Sequence, residues 1–150
     1  MQLAFYKGPA RSLLHRLAHW LVCKVTRSKY SHCELVIDGV CYSSSWRDGG
    51  VRGTLIDLSS GRWDVLDVPG DELVAMDWFI RHWDAPYDYA GLLGFVLPWR
   101  TQNEQRWFCS EACAAALGLH NPERISPQWL YDRAAWRAMD QCAEIYTKNR

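Results

Sequence analysis

The chain of 150 residues is long enough for one domain with a substantial hydrophobic core. Hydrophobic residues make up 49% of it, which excludes an intrinsically disordered chain. Lys plus Arg and Asp plus Glu number 17 each, and this zero formal charge without a basic patch argues against nucleic acid as the main partner.

The N-terminal residues MQLAFYKGPARS lack a basic start followed by an apolar run, so we expect no signal peptide. The longest apolar run, AGLLGFVLPW, is about half the length of a membrane span. We therefore expect a cytoplasmic protein without an integral membrane segment. Delivery outside the cell by another system, or release by lysis, stays open.

The first half of the chain predicts strands around one helix. QLAFYK reads as a strand, and residues 10–25 as a helix with an apolar stripe of Leu13, Leu14, Leu17, Trp20 and Leu21. HCELVI and VCYSSSW are strand-like, and the Asp38-Gly39 pair between them is a strong signal for a two-residue hairpin. VRGTLIDL and RWDVLDV predict two more strands.

The second half predicts helices. Asp71 and Glu72 open a helix whose inward residues are expected to be Leu73, Met76, Phe79, Ile80 and Trp83. A helix over 88–97 and a polar loop over 99–106 follow. A helix then begins at Cys109 and ends near Gly118, and Ser126-Pro127 starts the last one. The pattern predicts a single α+β domain over residues 1–150.

Six cysteines are present, and without an export signal we expect reduced thiols: Cys23, Cys33, Cys41, Cys109, Cys113 and Cys142. There is no CxxC pair, and the four-residue spacing of Cys109 and Cys113 is helical rather than that of a zinc knuckle. We therefore expect neither a metal nor a cofactor.

The Asp-Gly hairpin fixes a register in which facing residues have numbers that sum to 77. Glu34 then faces Ser43, and His32 faces Ser45. Because opposed side chains share a face of the sheet, these four form a polar patch. The other face carries Cys33, Leu35, Ile37, Val40, Tyr42 and Ser44.

Cys109 stands where a polar loop turns into the alanine-rich helix CSEACAAAL. If that helix packs on the hairpin, Cys109 meets the polar patch. A thiol at a helix N-terminus beside an imidazole is the arrangement that lowers a thiol pKa and makes a nucleophile. Taken alone, a packed core thiol is the better interpretation of Cys109.

The segments YSHCELVIDG, CYSSSWRDGGVR, PYDYAGL, WFCSEACAAAL and ISPQWLYD resemble, in this order, the circularly permuted NlpC-like papain-fold proteins. The likeness covers roughly residues 28 to 132. It implies a permuted papain-like fold, an antiparallel sheet packed against helices, with Cys109 as nucleophile and His32 as general base.

At the third catalytic residue the chain departs from the family pattern: family members often carry a polar residue, sometimes Glu, on the second hairpin strand, where this chain has Ser43. Our hypothesis is that Glu34, across from Ser43, orients His32. A bulge in YSSSW would bring Ser44 onto the patch instead. The resemblance alone suggests that Tyr30 lines a cleft. Tyr87 is a further candidate for binding or orienting substrate, against the plainer interpretation of a helix start.

These residues predict a cysteine hydrolase that cleaves a peptide or amide bond, such as a cell-wall peptide, through an acyl-enzyme. One alternative is a lipid acyltransferase or thioesterase resembling lecithin–retinol acyltransferase, for which we recognise no supporting amphipathic basic helix or membrane span. Another is a non-catalytic binding module on the same fold. The expected partner is a peptide, amide or acyl substrate, and the oligomeric state stays open.

Overall fold

The computed structural model describes residues 1–8, 13–89 and 105–148. Five strands form one antiparallel sheet in the order β4-β3-β2-β1-β5: β1 (Gln2–Tyr6), β2 (His32–Ile37), β3 (Val40–Ser45), β4 (Gly50–Thr54) and β5 (Trp63–Asp67). The described residues also form four α-helices: α1 (Leu13–Val25), α2 (Glu72–Arg81), α3 (Cys109–Ala116) and α4 (Pro127–Lys148). The predicted α+β class is confirmed.

The second predicted helix of the C-terminal half, over 88–97, and the polar loop over 99–106 fall mostly on residues 90–104, outside the described residues. The remaining predicted strands and helices are present, with ends that differ by a few residues. One such difference is at VRGTLIDL, where β4 ends at Thr54 and a short 3₁₀ helix, Leu58–Ser60, follows.

The β2–β3 hairpin turns at Asp38 and Gly39, which both have positive φ, 49° and 79°. A two-residue turn of type I′ requires positive φ at both central positions, which is why Asp-Gly suits it. Ile37 pairs with Val40 and Leu35 pairs with Tyr42. The predicted register is therefore confirmed for the three pairs next to the turn, from Leu35 with Tyr42 to Ile37 with Val40.

The sheet buries both faces, one far more extensively than the other. The larger core packs Phe5, Cys33, Leu35 and Val51 of the sheet against buried residues of α2, α3 and α4. On the opposite face Ala4, Val36 and Cys41 are covered by Ile56, Leu58 and Trp63. Side chains alternate along each strand, so His32 and Glu34 project on this second face, together with Val36.

Helix α2 begins as predicted, since the Asp71 carboxylate accepts hydrogen bonds from the backbone N–H groups of Leu73 and Val74. Its inward face was predicted only in part. Phe79 is fully buried and Met76 packs against the core, whereas Leu73, Ile80 and Trp83 are exposed. The inward stripe instead runs through Ala75 and Phe79, because Phe79 contacts Tyr42 of β3 and the helix packs against α3.

Helix α1 carries the predicted apolar stripe, and its described members Leu13, Leu17, Trp20 and Leu21 point to solvent, with exposed fractions of 83%, 60%, 55% and 47%. On another side of the helix, His19 Nδ1 lies 2.6 Å from Ser31 Oγ. No helix within the described ranges is long and apolar enough to cross a bilayer.

Candidate active site

His32 lies at the start of β2, the central strand of the sheet, where it pairs with Tyr6 of the neighbouring strand β1. Its Nε2 is 2.7 Å from Glu34 Oε1, two residues further along the same strand. Both side chains are largely withdrawn from solvent, with exposed fractions of 12% and 0%. Because Nε2 faces Glu34, Nδ1 is the ring nitrogen left for another partner.

Arg52 of β4 holds the same carboxylate. Its two terminal nitrogens lie 2.7 Å from Oε1 and Oε2 of Glu34, and its Nε lies 2.9 Å from the exposed carboxylate of Asp48. This is a bidentate guanidinium–carboxylate pair, the geometry that best fixes the plane of a buried carboxylate. Burial alone would raise the pKa of Glu34, but His32 and Arg52 together lower it, so it is ionised.

Cys109 is the first residue of α3, and its side chain is almost completely buried. Glu111 at the third position of the helix accepts a hydrogen bond from the backbone N–H of Phe108, which is half of a capping box. One turn later, the Cys113 thiol contacts the backbone carbonyls of Cys33 and Tyr42. The helix is thus pinned to the β2–β3 hairpin.

The face of the hairpin on which α3 packs is the one opposite to our expectation. Cys113 and Ala112 join Cys33, Leu35 and Ile37 in the larger core, so the helix covers the apolar face and not the His32–Glu34 patch. Cys109 nevertheless lies close enough to His32 for each group to shift the pKa of the other, because His32 is the first residue of its strand and Cys109 the first of its helix. The two lie near each other at the start of β2.

The surroundings of Cys109 favour its thiolate. A hydrogen bond from the Cys33 thiol is the largest cause that lowers the pKa of Cys109, and it outweighs burial with help from His32 and the Cys33 backbone N–H. Burial alone would lower the pKa of His32, but Glu34 and Cys109 raise it to about 10. Burial raises the pKa of Cys33, which therefore stays a neutral donor. The favoured state is a thiolate–imidazolium pair.

The two candidate serines of β3 have different partners. Ser43 pairs with Arg52 across β4, and its hydroxyl makes only a long contact, 3.4 Å, with the Ser44 carbonyl. Ser44 Oγ donates to the Trp107 carbonyl at 2.7 Å. The β3–β4 ladder runs regularly from Cys41 to Ser45, without the bulge that would have moved Ser44 onto the polar patch. Of the three candidates, Glu34 contacts His32.

The two candidate tyrosines lie in different surroundings. Tyr30 is fully buried between Phe5 and Tyr131, and its hydroxyl donates to Asp64 at 2.8 Å. Tyr87 is buried beside the thiols, and burial followed by the charge of Cys109 raises its pKa, so its phenol is neutral. Whether either residue binds or orients substrate stays a prediction.

Two residues of the site escaped the sequence interpretation. Arg52 reaches Glu34 only through the β3–β4 pairing, and the sole signal for that pairing is the turn segment RDGG at 47–50. Cys33 was placed on the hairpin face opposite the polar patch; that face is part of the core and Cys33 is buried there, but its thiol also lowers the pKa of Cys109. Within the described ranges there is no group of three His, Cys, Asp or Glu side chains that would hold a metal ion.

No protein-family model matches this chain, and comparison with curated proteins finds no significant match.

Proposed function

We propose that the protein is a cysteine hydrolase of peptide or amide bonds. The observation that carries this proposal is the buried Cys109–His32–Glu34 group: the imidazole lies 2.7 Å from the carboxylate, and the helix-terminal thiol lies close enough to the imidazole for each to shift the pKa of the other. It is the arrangement of a nucleophile, a general acid–base and an orienting acceptor. The order of these residues along the sequence supports a permuted papain-like enzyme.

In the proposed reaction the Cys109 thiolate attacks the substrate carbonyl carbon, and the carbonyl oxygen becomes an oxyanion. Backbone N–H groups in the first turn of α3 have no partner within the helix and are suited to stabilise this charge. The His32 imidazolium gives its proton to the departing amine, and an acyl-thioester remains. Neutral His32 then takes a proton from water, whose oxygen attacks the thioester and releases the acid and the thiolate.

A second candidate function, transfer or hydrolysis of lipid acyl groups by the same nucleophile, is favoured by α1. The exposed apolar stripe of that helix lies on the element whose His19 contacts Ser31, the residue before His32. A non-catalytic binding module is the third possibility. It has no need of a thiolate at Cys109, so the ionisation of this thiol separates it from both enzymes.

The first experiment is to follow thiolate absorbance and alkylation against pH in the folded protein, with mass spectrometry to locate the modified cysteine. A free thiol titrates with a midpoint at about pH 8.5. Because the pKa of Cys109 is lowered, its thiolate should persist well below that pH. The signal should be absent from Cys109→Ser. In His32→Ala the midpoint should move up, and turnover should fall by about 10²–10⁴.

Cys113 is the matched control, since it lies one turn further along the same helix and is equally buried. We expect it to react far more slowly than Cys109 near pH 6. Equal reactivity of the two thiols would contradict both enzymatic proposals. So would a pH midpoint of Cys109 that is the same in His32→Ala as in the unchanged protein. Peptidoglycan fragments, peptide amides and acyl esters then distinguish a peptidase from an acyltransferase.

A further inference from the structure

Helix α1 presents an apolar stripe that the rest of the described chain leaves uncovered. Leu13, Leu17, Trp20 and Leu21 recur at helical spacing on one side, over about 12 Å of helix at 1.5 Å per residue. A surface helix of a globular protein normally turns such a stripe inward. Here it points outward, which marks an interaction surface.

The charges around the stripe define the partner. Residues 13–29 contain four basic residues and neither Asp nor Glu, although acids and bases are equal in the whole chain. Arg16, Lys24 and Arg27 are exposed beside the stripe. Lys24 and Arg27 also line an open recess with Trp20, Cys23 and Ser28. Apolar side chains, an indole and flanking cations are the composition of a helix that lies in a membrane interface.

Helix α2 provides the contrast within the same molecule. It also exposes apolar side chains, Leu73, Val74 and Ile80, but it carries Glu72 and Asp77 against a single Arg81. Exposed leucines alone therefore do not define the surface on α1. What defines the surface on α1 is the combination of the apolar stripe with a wholly basic border. We missed this combination in the sequence, since we recognised no amphipathic basic helix there.

We propose that α1 docks on an anionic phospholipid bilayer, with Leu13, Leu17, Trp20 and Leu21 in the acyl boundary and Arg16, Lys24 and Arg27 among the lipid phosphates. His19 on the same helix contacts Ser31 and Tyr6, the residues before and across from His32. Docking would thus hold the candidate active site close to the membrane surface. This inference goes beyond the proposed function and does not depend on it.

The test is sedimentation of the full chain with vesicles of phosphatidylcholine, alone or with one third phosphatidylglycerol. We expect binding to the anionic vesicles, and a partition coefficient lower by at least about tenfold on the neutral ones. The paired changes Leu17→Gln with Leu21→Gln, and Lys24→Glu with Arg27→Glu, should each cause a loss of similar size. All four side chains are exposed, so the variants should fold.

The matched controls lie outside α1. Leu73→Gln with Ile80→Gln removes apolar side chains that are at least as exposed as Leu17 and Leu21, and Arg81→Glu with Arg124→Glu reverses two exposed cations. Both pairs should bind within about twofold of the unchanged protein, since neither borders the stripe. Cys109→Ser should also bind normally, which separates docking from catalysis.

Three results would overturn the proposal. The first is that the unchanged protein stays in the supernatant with anionic vesicles. The second is that the α1 variants bind as well as their controls. The third is a dimer that forms in the absence of lipid and disappears with Leu17→Gln and Leu21→Gln, which would assign the stripe to a second copy of the chain.

Discussion

Arg52 connects the candidate site to the outer strand of the sheet, and its role follows from the energetics of buried charge. The Glu34 carboxylate is fully buried, and its two oxygens are shared between His32 and the guanidinium. Counting Cys109 as thiolate and His32 as imidazolium, the four groups carry two positive and two negative charges. A buried network with zero net charge is tolerated, whereas loss of one member leaves an uncompensated ion.

We therefore expect Arg52→Gln to lower the free energy of unfolding by about 3–5 kcal/mol, the usual effect of removing one partner from a buried pair. Asp48→Asn is the control, because Asp48 contacts Arg52 through Nε and is half exposed, so its change should cost less than about 1 kcal/mol. Urea unfolding measures both variants.

If Arg52 had only a structural role, the molecules of the variant that stay folded would show the same pH midpoint of Cys109 alkylation as the unchanged protein. A positioning role predicts that Arg52→Gln moves the pH midpoint of Cys109 alkylation upward, since a loosened Glu34 holds the imidazolium less well. Arg52→Lys keeps the charge but loses the two-pronged contact, so it should restore the midpoint only in part. A midpoint that does not move in either variant would refute the positioning role.

At the scale of elements, the start of α3 is held by backbone contacts to its neighbours rather than by its own sequence. Trp107 donates its backbone N–H to the Pro86 carbonyl, and its carbonyl accepts from Asp88 N–H and Ser44 Oγ. Gly50 of β4 lets the backbone at Ala85 and Pro86 lie directly against the strand, because a Cβ at Gly50 would lie 2.1 Å from the Ala85 carbonyl oxygen. These contacts place Cys109 near His32, at the start of β2.

Neighbouring serines on β3 give a matched test of this clamp. Ser44→Ala removes the bond to the Trp107 carbonyl, which keeps its bond from Asp88, so we expect a loss of about 1 kcal/mol in stability. Ser43→Ala removes only the long 3.4 Å contact and should cost less than about 0.5 kcal/mol. Thermal unfolding compares them. Only Ser44→Ala should also slow alkylation of Cys109, and equal effects of the two changes would argue against the clamp.

The contrast between local and distant pairing also explains what the sequence could predict. The β2–β3 register followed from Asp38-Gly39 alone, since a two-residue turn fixes its own hairpin. The contact of Glu34 with His32 followed from their spacing along one strand. The contacts of Arg52 and Cys33 did not follow, because they depend on which strand pairs with β3 and on which face α3 covers. Both are set by packing across the whole sheet.

For the whole molecule, the uneven use of the two sheet faces decides where stability and function reside. The larger core, under α2, α3 and α4, contains most of the buried aromatic and aliphatic side chains. The second face has only a small apolar cluster beside the charged network. The larger core therefore holds α3 in place, while the second face is free to carry charge.

Helix α2 allows this division to be tested, because two consecutive residues face opposite ways. Phe79 is fully buried against Tyr42 and Trp78, whereas Ile80 is 64% exposed. Phe79→Ala should lower the free energy of unfolding by about 3–5 kcal/mol through the cavity that it leaves. Ile80→Ala should change it by no more than about 0.5 kcal/mol.

The sequence pattern assigned both Phe79 and Ile80 to the core. If urea unfolding gave comparable losses of stability for Phe79→Ala and Ile80→Ala, that result would favour the sequence pattern over the observed packing. A large loss for Phe79→Ala alone would mean that α2 holds the sheet through the line of Ala75 and Phe79. Since α2 also contacts α3, the weakened core should then loosen the helix that begins at Cys109. Alkylation of Cys113, which is buried in that core, should accelerate in Phe79→Ala and stay slow in Ile80→Ala.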